Sequence, residues 1–307
     1  MEIRARRVNN YDLFASHAWY VPGVKGMFAL LVWFLVGMIL GIVIELLFMP
    51  FVPQKVIMDY GMIIIYPVQF LPAMLFVARK SHMNSLFEPG YKLSSKNFGR
   101  YSWWLVALVT VAITLATMIS ADLPNYLNYK LTTSIPVLKS FYDAFAKIMQ
   151  DLTGGPFWSS FLVVAIFAPV FEEWLCRGMV LRGLLTKMKP GWAIVISALF
   201  FAVIHMNPWQ ALNAFIIGLV MGYVYYRTGC LWLTMLIHFV NNSIGVVLGH
   251  IPSLSDVEQW MDVLSPGTYA IIYVLGLAAL AGCFYFFRRI PLNQERGNID
   301  EITVREQ

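Results

Sequence analysis

The chain has 307 residues, of which 59% are hydrophobic and 13% charged, and its net charge is +5. Soluble domains carry about 25% charged residues, so the composition excludes a water-soluble globule and makes lipid the expected solvent. No nucleic-acid partner is expected from the positive charge, because the basic residues lie in short connections and toward the chain ends, as the positive-inside rule describes.

The apolar runs predict an all-α, polytopic membrane protein of about eight transmembrane helices, since ~20 apolar residues span a ~30 Å hydrocarbon core. The first 26 residues hold Arg4, Arg6 and Arg7 without an apolar run, so they do not resemble a signal peptide. The first span is expected to be an uncleaved anchor. In chain order the predicted spans are Met27–Met49, Val56–Ala78, Trp103–Ile119, Phe157–Leu185, Trp192–His205, Trp209–Tyr226, Leu231–Gly249 and Thr268–Phe287. Between them, Ser81–Gly99 is expected at the membrane surface. So is Val137–Asp151, an amphipathic helix with Phe141, Ala144, Phe145 and Ile148 at helical spacing. Gly37 and Gly41, and Gly218 and Gly222, form small-xxx-small pairs that let helices approach closely.

Charge orients the spans. Arg79, Lys80, Arg100, Arg182, Lys187, Lys189, Arg227, Arg288 and Arg289 fall on one side with the N-terminal arginines, and a mixed set including Asp122, Lys130, Asp143 and Asp151 falls on the other. The first side is expected to be cytoplasmic, with both termini on it. The compact loops suggest a bacterial plasma membrane. Cys176, Cys230 and Cys283 form no spaced metal cluster. Three regions are expected: 1–150 as an N-terminal membrane region, 151–250 as a core region of four spans, and 251–307 as the last span and a polar tail.

A charge at mid-bilayer costs at least ~2.5 kcal/mol on insertion scales, so ionisable residues inside spans need a reason. The fourth span holds Glu172, Glu173 and Arg177, the fifth ends in His205, and the seventh holds His238 and Asn242. Glu173 and Arg177 are four apart and can pair on one face, or Arg177 can receive a substrate carboxylate. Glu172 points about 100° away. Peptide hydrolysis needs a base for water, donors for the oxyanion and an acid for the leaving amine. A carboxylate in an apolar pocket is a stronger base, which makes Glu172 the candidate base. His205 can position the water or protonate the leaving group, and His238 and Asn242 can hold the water or donate to the oxyanion. A divalent metal, zinc, on Glu172, His205 and His238 is the alternative, since two His and one Glu form a catalytic zinc set. The soluble HExxH arrangement is absent.

Glu172-Glu173-x-x-x-Arg177, Phe201-x-x-x-His205 and His238-x-x-x-Asn242, in this order, resemble the three motifs of the CPBP family. This is the Abi or type II CAAX-protease group of intramembrane proteases, which is Rce1-like. The resemblance covers about Phe157–Gly249. It implies an eight-helix fold, a site open toward the cytosol and a glutamate-activated water, with metal dependence left open. It places Glu172 as base, His205, His238 and Asn242 as the rest of the site, and Glu173 and Arg177 as supporting residues. The expected partners are membrane lipid and a membrane-associated protein or peptide substrate. A non-proteolytic factor, such as a bacteriocin-immunity or scaffold protein, is the competing function. A proton-coupled transporter is disfavoured by the lack of an inverted repeat.

Overall fold

The computed structural model describes residues 20–80, 98–153, 155–254 and 260–292. Most of the Ser81–Gly99 connection and the polar tail lie outside the described residues. Among the described residues nine helical elements carry the fold: α1 (Val24–Phe48), α2 (Gln54–Lys80), α3 (Trp103–Thr133), α4 (Pro136–Thr153), α5 (Phe157–Leu185), α6 (Pro190–Ile204), α7 (Pro208–Thr228), α8 (Leu231–Gly249) and α9 (Pro266–Arg288). The protein is an all-α polytopic membrane protein. By length and composition α1, α2, α3, α5, α8 and α9 are each able to cross a bilayer. Their large apolar side chains are exposed along the outer faces, as Ile39, Leu47, Ile64, Leu108 and Ile271 show. Lipid is the solvent that suits such a surface.

α6 and α7 behave differently. α6 has 15 residues, about 22 Å at ~1.5 Å per residue, which is short of the hydrocarbon thickness. Its far end turns back through His205, Met206 and Asn207 into α7, whose Gln210 and Asn213 dilute its hydropathy. Asn207 is buried, and its Oδ1 accepts from the N–H groups of Trp209 and Gln210 at 3.1 and 3.4 Å, so the start of α7 is capped away from water. Tyr142 of the amphipathic helix α4 packs edge-on against Trp209 at 5.5 Å and covers this turn. α6 and α7 pack closely because Gly218 and Gly222 face Ala198 and Ile194, where an added Cβ would lie 3.1 and 3.0 Å away. At Gly37 an added Cβ would collide with the backbone carbonyl of Gln69, so α1 crosses α2 in direct contact. Both small-residue pairs therefore serve packing.

The helix ends sort into two groups. At one, Arg182 Nη2 donates to Tyr20 O at 2.8 Å, the Tyr20 ring meets Phe76 at 5.5 Å, Tyr101 meets Phe286 at 4.8 Å, and Arg227 Nη2 donates to Arg288 O at 2.6 Å. At the other, Tyr269 donates to Asp122 at 2.9 Å and His250 Nε2 lies 3.3 Å from Gly155 O. Successive spans thus run in alternate directions, and the basic connections gather at one end of the bundle. Arg182, counted above among connection charges, is fully buried, with Nε donating to Gly178 O at 2.8 Å. α3 runs well past Ile119 because its polar continuation is satisfied inside the bundle. Asp122 has Tyr269, and Asn125 Nδ2 donates to Asn213 Oδ1 at 3.1 Å. Cys176, Cys230 and Cys283 are buried thiols, not disulfide-bonded among the described residues.

Candidate active site

The site is built on α5, which is not uniformly wound. Pro169 lies inside it and offers no N–H to the carbonyl four residues earlier. The winding widens to a π-helix over Phe161–Phe167 and again over Trp174–Leu181. Widened turns loosen the ordinary carbonyl ladder, and each wide stretch takes a side-chain donor from a neighbouring helix. Asn242 Nδ2 of α8 donates to Val164 O at 2.8 Å, and Ser197 Oγ of α6 donates to Cys176 O at 3.0 Å. Between the two wide stretches sits the α-helical turn Ala168–Glu173, which ends in the paired acids.

Glu172 and Glu173 face different partners. Glu173 is fully buried, and its Oε1 lies 2.6 Å from Arg177 Nη1 and 3.2 Å from His238 Nδ1. Arg177 is fully buried too. Its Nη2 donates to Gly218 O at 3.1 Å, and its guanidinium lies 4.4 Å from the Phe201 ring centroid. Glu173 therefore balances the guanidinium and orients the His238 ring at once, and no surface of Arg177 is open to receive a substrate carboxylate.

Glu172 keeps 12% of its side chain exposed. Its Oε1 accepts from the hydroxyl of Tyr66 on α2. Its Oε2 is buried, has no hydrogen-bond donor among the described residues, and lies 3.8 Å from His205 Nε2. His205 follows the last turn of α6, with Nδ1 2.7 Å from Phe201 O. A carbonyl only accepts, so Nδ1 carries the ring hydrogen and Nε2 of the neutral ring is an acceptor. Two acceptors thus face each other across a gap wider than a hydrogen bond.

Five of the six residues singled out from the sequence divide into two clusters. Glu172 joins His205, and Glu173 joins Arg177 and His238. The Phe201 ring is the common wall, 4.7 Å from His205, 5.5 Å from His238 and beneath Arg177. Asn242 sits apart from both in its hydrogen bonds, since Nδ2 serves Val164 O and Oδ1 accepts from Asn241 Nδ2 at 3.0 Å. The metal alternative asks Glu172, His205 and His238 to converge. His238 is instead turned onto Glu173, and among the described residues no group of three or more His, Cys, Asp or Glu is arranged to hold a metal ion. The residues do not fit a zinc site in this arrangement. Sequence reasoning missed Tyr66, whose only signal is a hydroxyl near the middle of an apolar helix, next to Pro67.

Residues 154–244 match the family model described as type II CAAX prenyl endopeptidase, Rce1-like. The matched stretch runs from α5 into α8 and contains all six residues, whereas α1 to α4 and α9 lie outside it. The family is one of membrane proteases. Searches of curated proteins and of solved structures gave no match.

Proposed function

We propose that this protein, whose residues 154–244 match the Rce1-like family model, hydrolyses a peptide bond of a membrane-associated substrate within the bilayer, with Glu172 as the base. The observation that carries this is the facing pair, Glu172 Oε2 and His205 Nε2, 3.8 Å apart, both acceptors when the ring is neutral. A water donating one hydrogen to each, at about 2.8 Å, has its lone pairs turned outward to a substrate carbonyl. Glu172 takes one proton as the water oxygen adds to the carbonyl carbon. The protonated Glu172 then delivers that proton to the leaving nitrogen as the C–N bond breaks, giving a carboxylic acid and an amine, and the acid's proton passes to the amine to leave a carboxylate and an ammonium. His238, held by Glu173 and carrying a second proton, donates from Nε2 to the oxyanion, and Asn242 supplies its remaining amide hydrogen on the same side. The substrate class suggested by the family description is a prenylated protein ending in Cys-aliphatic-aliphatic-X. The basic end of the bundle would face the cytoplasm.

General-base catalysis contributes about 10²- to 10⁴-fold, so Glu172→Gln should lower turnover by that factor while the protein still inserts. Proteomics of membranes holding wild type or Glu172→Gln checks this. The variant should accumulate a small set of uncut membrane peptides. Identical peptide sets from the two membranes would remove Glu172 from catalysis, and would favour the non-proteolytic alternative.

A further inference from the structure

We infer that Tyr66 is the positioning residue of the base, so that the working site extends to α2, outside the matched segment. This assignment rests on Glu172 being that base. The two oxygens of a carboxylate are chemically equivalent, and its terminal torsion is broad and nearly two-fold. Only one of them can face His205 at a time. The Tyr66 hydroxyl donates to Oε1, which leaves Oε2 as the oxygen turned to His205 Nε2. The proton taken from water therefore arrives on Oε2. Oε1 of the resulting neutral acid is a carbonyl oxygen and still accepts from the phenol, so the contact holds through the proton's arrival and departure.

The phenol is itself held in place. Its ring lies 5.6 Å from Phe70, and Phe70 stacks on Phe171 at 5.4 Å with 22° between the planes. Phe171 is the residue before Glu172, so α2 is registered on α5 beside the base. From behind, α1 presses on α2 at Gln69, one turn beyond Tyr66, through Gly37. Helices that carry no motif of the family thus fix the angle of its carboxylate. A tyrosine that only filled space would make none of these demands on its hydroxyl.

Tyr66→Phe keeps the ring and its stacking and removes only the donor. Two measurements on purified protein in proteoliposomes test the assignment. Infrared spectra of protein labelled with ¹³C-glutamate locate the Glu172 carboxyl bands as those lost in Glu172→Gln. Those bands should move in Tyr66→Phe. With an internally quenched, farnesylated Cys-aliphatic-aliphatic-X peptide as probe, Tyr66→Phe should lower kcat about 10- to 100-fold, the scale of a misplaced catalytic group, and leave KM and the unfolding midpoint unchanged. Unmoved carboxyl bands would overturn the assignment, and they decide it even for a peptide the enzyme leaves uncut. Moved bands with an unchanged kcat, while Glu172→Gln is inactive, would overturn it too and leave the function standing. Cleavage by Glu172→Gln at the wild-type rate would instead remove the base, and Tyr66's role with it.

Discussion

Two adjacent carboxylates on one helix, Glu172 and Glu173, have opposite surroundings. Glu173 is sealed, with a guanidinium and an imidazole on one of its oxygens. Glu172 is partly exposed, with one oxygen on a phenol and the other facing an imidazole nitrogen that, in the neutral ring, is an acceptor. About 100° of helical rotation separates them, and that rotation decides which charge is neutralised and which is left reactive. A bilayer makes an uncompensated charge expensive, so the sealed pair reads as the structural support of the open one. Phe201 stands between the two and touches both histidines and the arginine.

If that division is right, mutations on the two sides should fail in different ways. Glu172→Gln should show the largest effect, the 10²- to 10⁴-fold loss of turnover, with an unchanged unfolding midpoint, because the amide oxygen still accepts from Tyr66. Arg177→Ala should do the reverse. It leaves Glu173 as a buried charge without its guanidinium, which costs about 3–5 kcal/mol, and thermal unfolding in detergent should show a clear drop in midpoint. If Arg177→Ala left stability intact and removed activity, the guanidinium would belong with the reacting groups and the division between the two acids would break down.

An intermediate effect is expected where α1 meets α2. Gly37→Ala places a methyl on the Gln69 carbonyl, and overpacking of this kind costs about 1–3 kcal/mol. The shift of α2 should also carry Tyr66 away from Glu172. Turnover at saturating probe, measured below the unfolding transition, should therefore fall in Gly37→Ala. A stability loss with full turnover would show that α2 holds Tyr66 independently of α1.

The helices were legible because apolar runs long enough to cross a bilayer leave little ambiguity. The predicted ends of α5 and α8 coincide with the observed ones, and the amphipathic helix over 137–151 is α4. The expected span ends at Ile119 because Asp122, Pro124 and Asn125 interrupt the apolar run, whereas α3 continues to Thr133. Only the fold brings Tyr269 and Asn213 against them. Spacing alone brought Glu173 and Arg177 onto one face. It did not reveal that His238 turns to Glu173, since partners on different helices depend on rotation and tilt that a sequence does not state. The two π-helical stretches of α5 were equally hidden, and they change the angle at which every later residue of α5 points. Tyr66 was hidden for a third reason: an isolated tyrosine in an apolar span reads as packing until its neighbour across the helix interface is known.

Asn242 offers the finest test of the comparison, because it belongs to neither acid. Its side chain ties α8 to the widened turn of α5 through Val164 O, with Asn241 behind it. Hydrogen bonds between membrane helices average only about 0.6 kcal/mol. As a tie alone, Asn242→Ala should therefore move the unfolding midpoint slightly and lower turnover no more than that. As an oxyanion donor it should cost about 10²- to 10³-fold in kcat, since its second amide hydrogen would be lost together with the tie. Asn241→Ala separates the two roles, because it removes the support of the Asn242 carbonyl oxygen and leaves both amide hydrogens in place. A large loss of kcat in Asn242→Ala with a near-normal Asn241→Ala would bring Asn242 into the reacting set, on the open side of α5 with Glu172. Equal and small losses would make it part of the frame that Glu173 and Arg177 already represent.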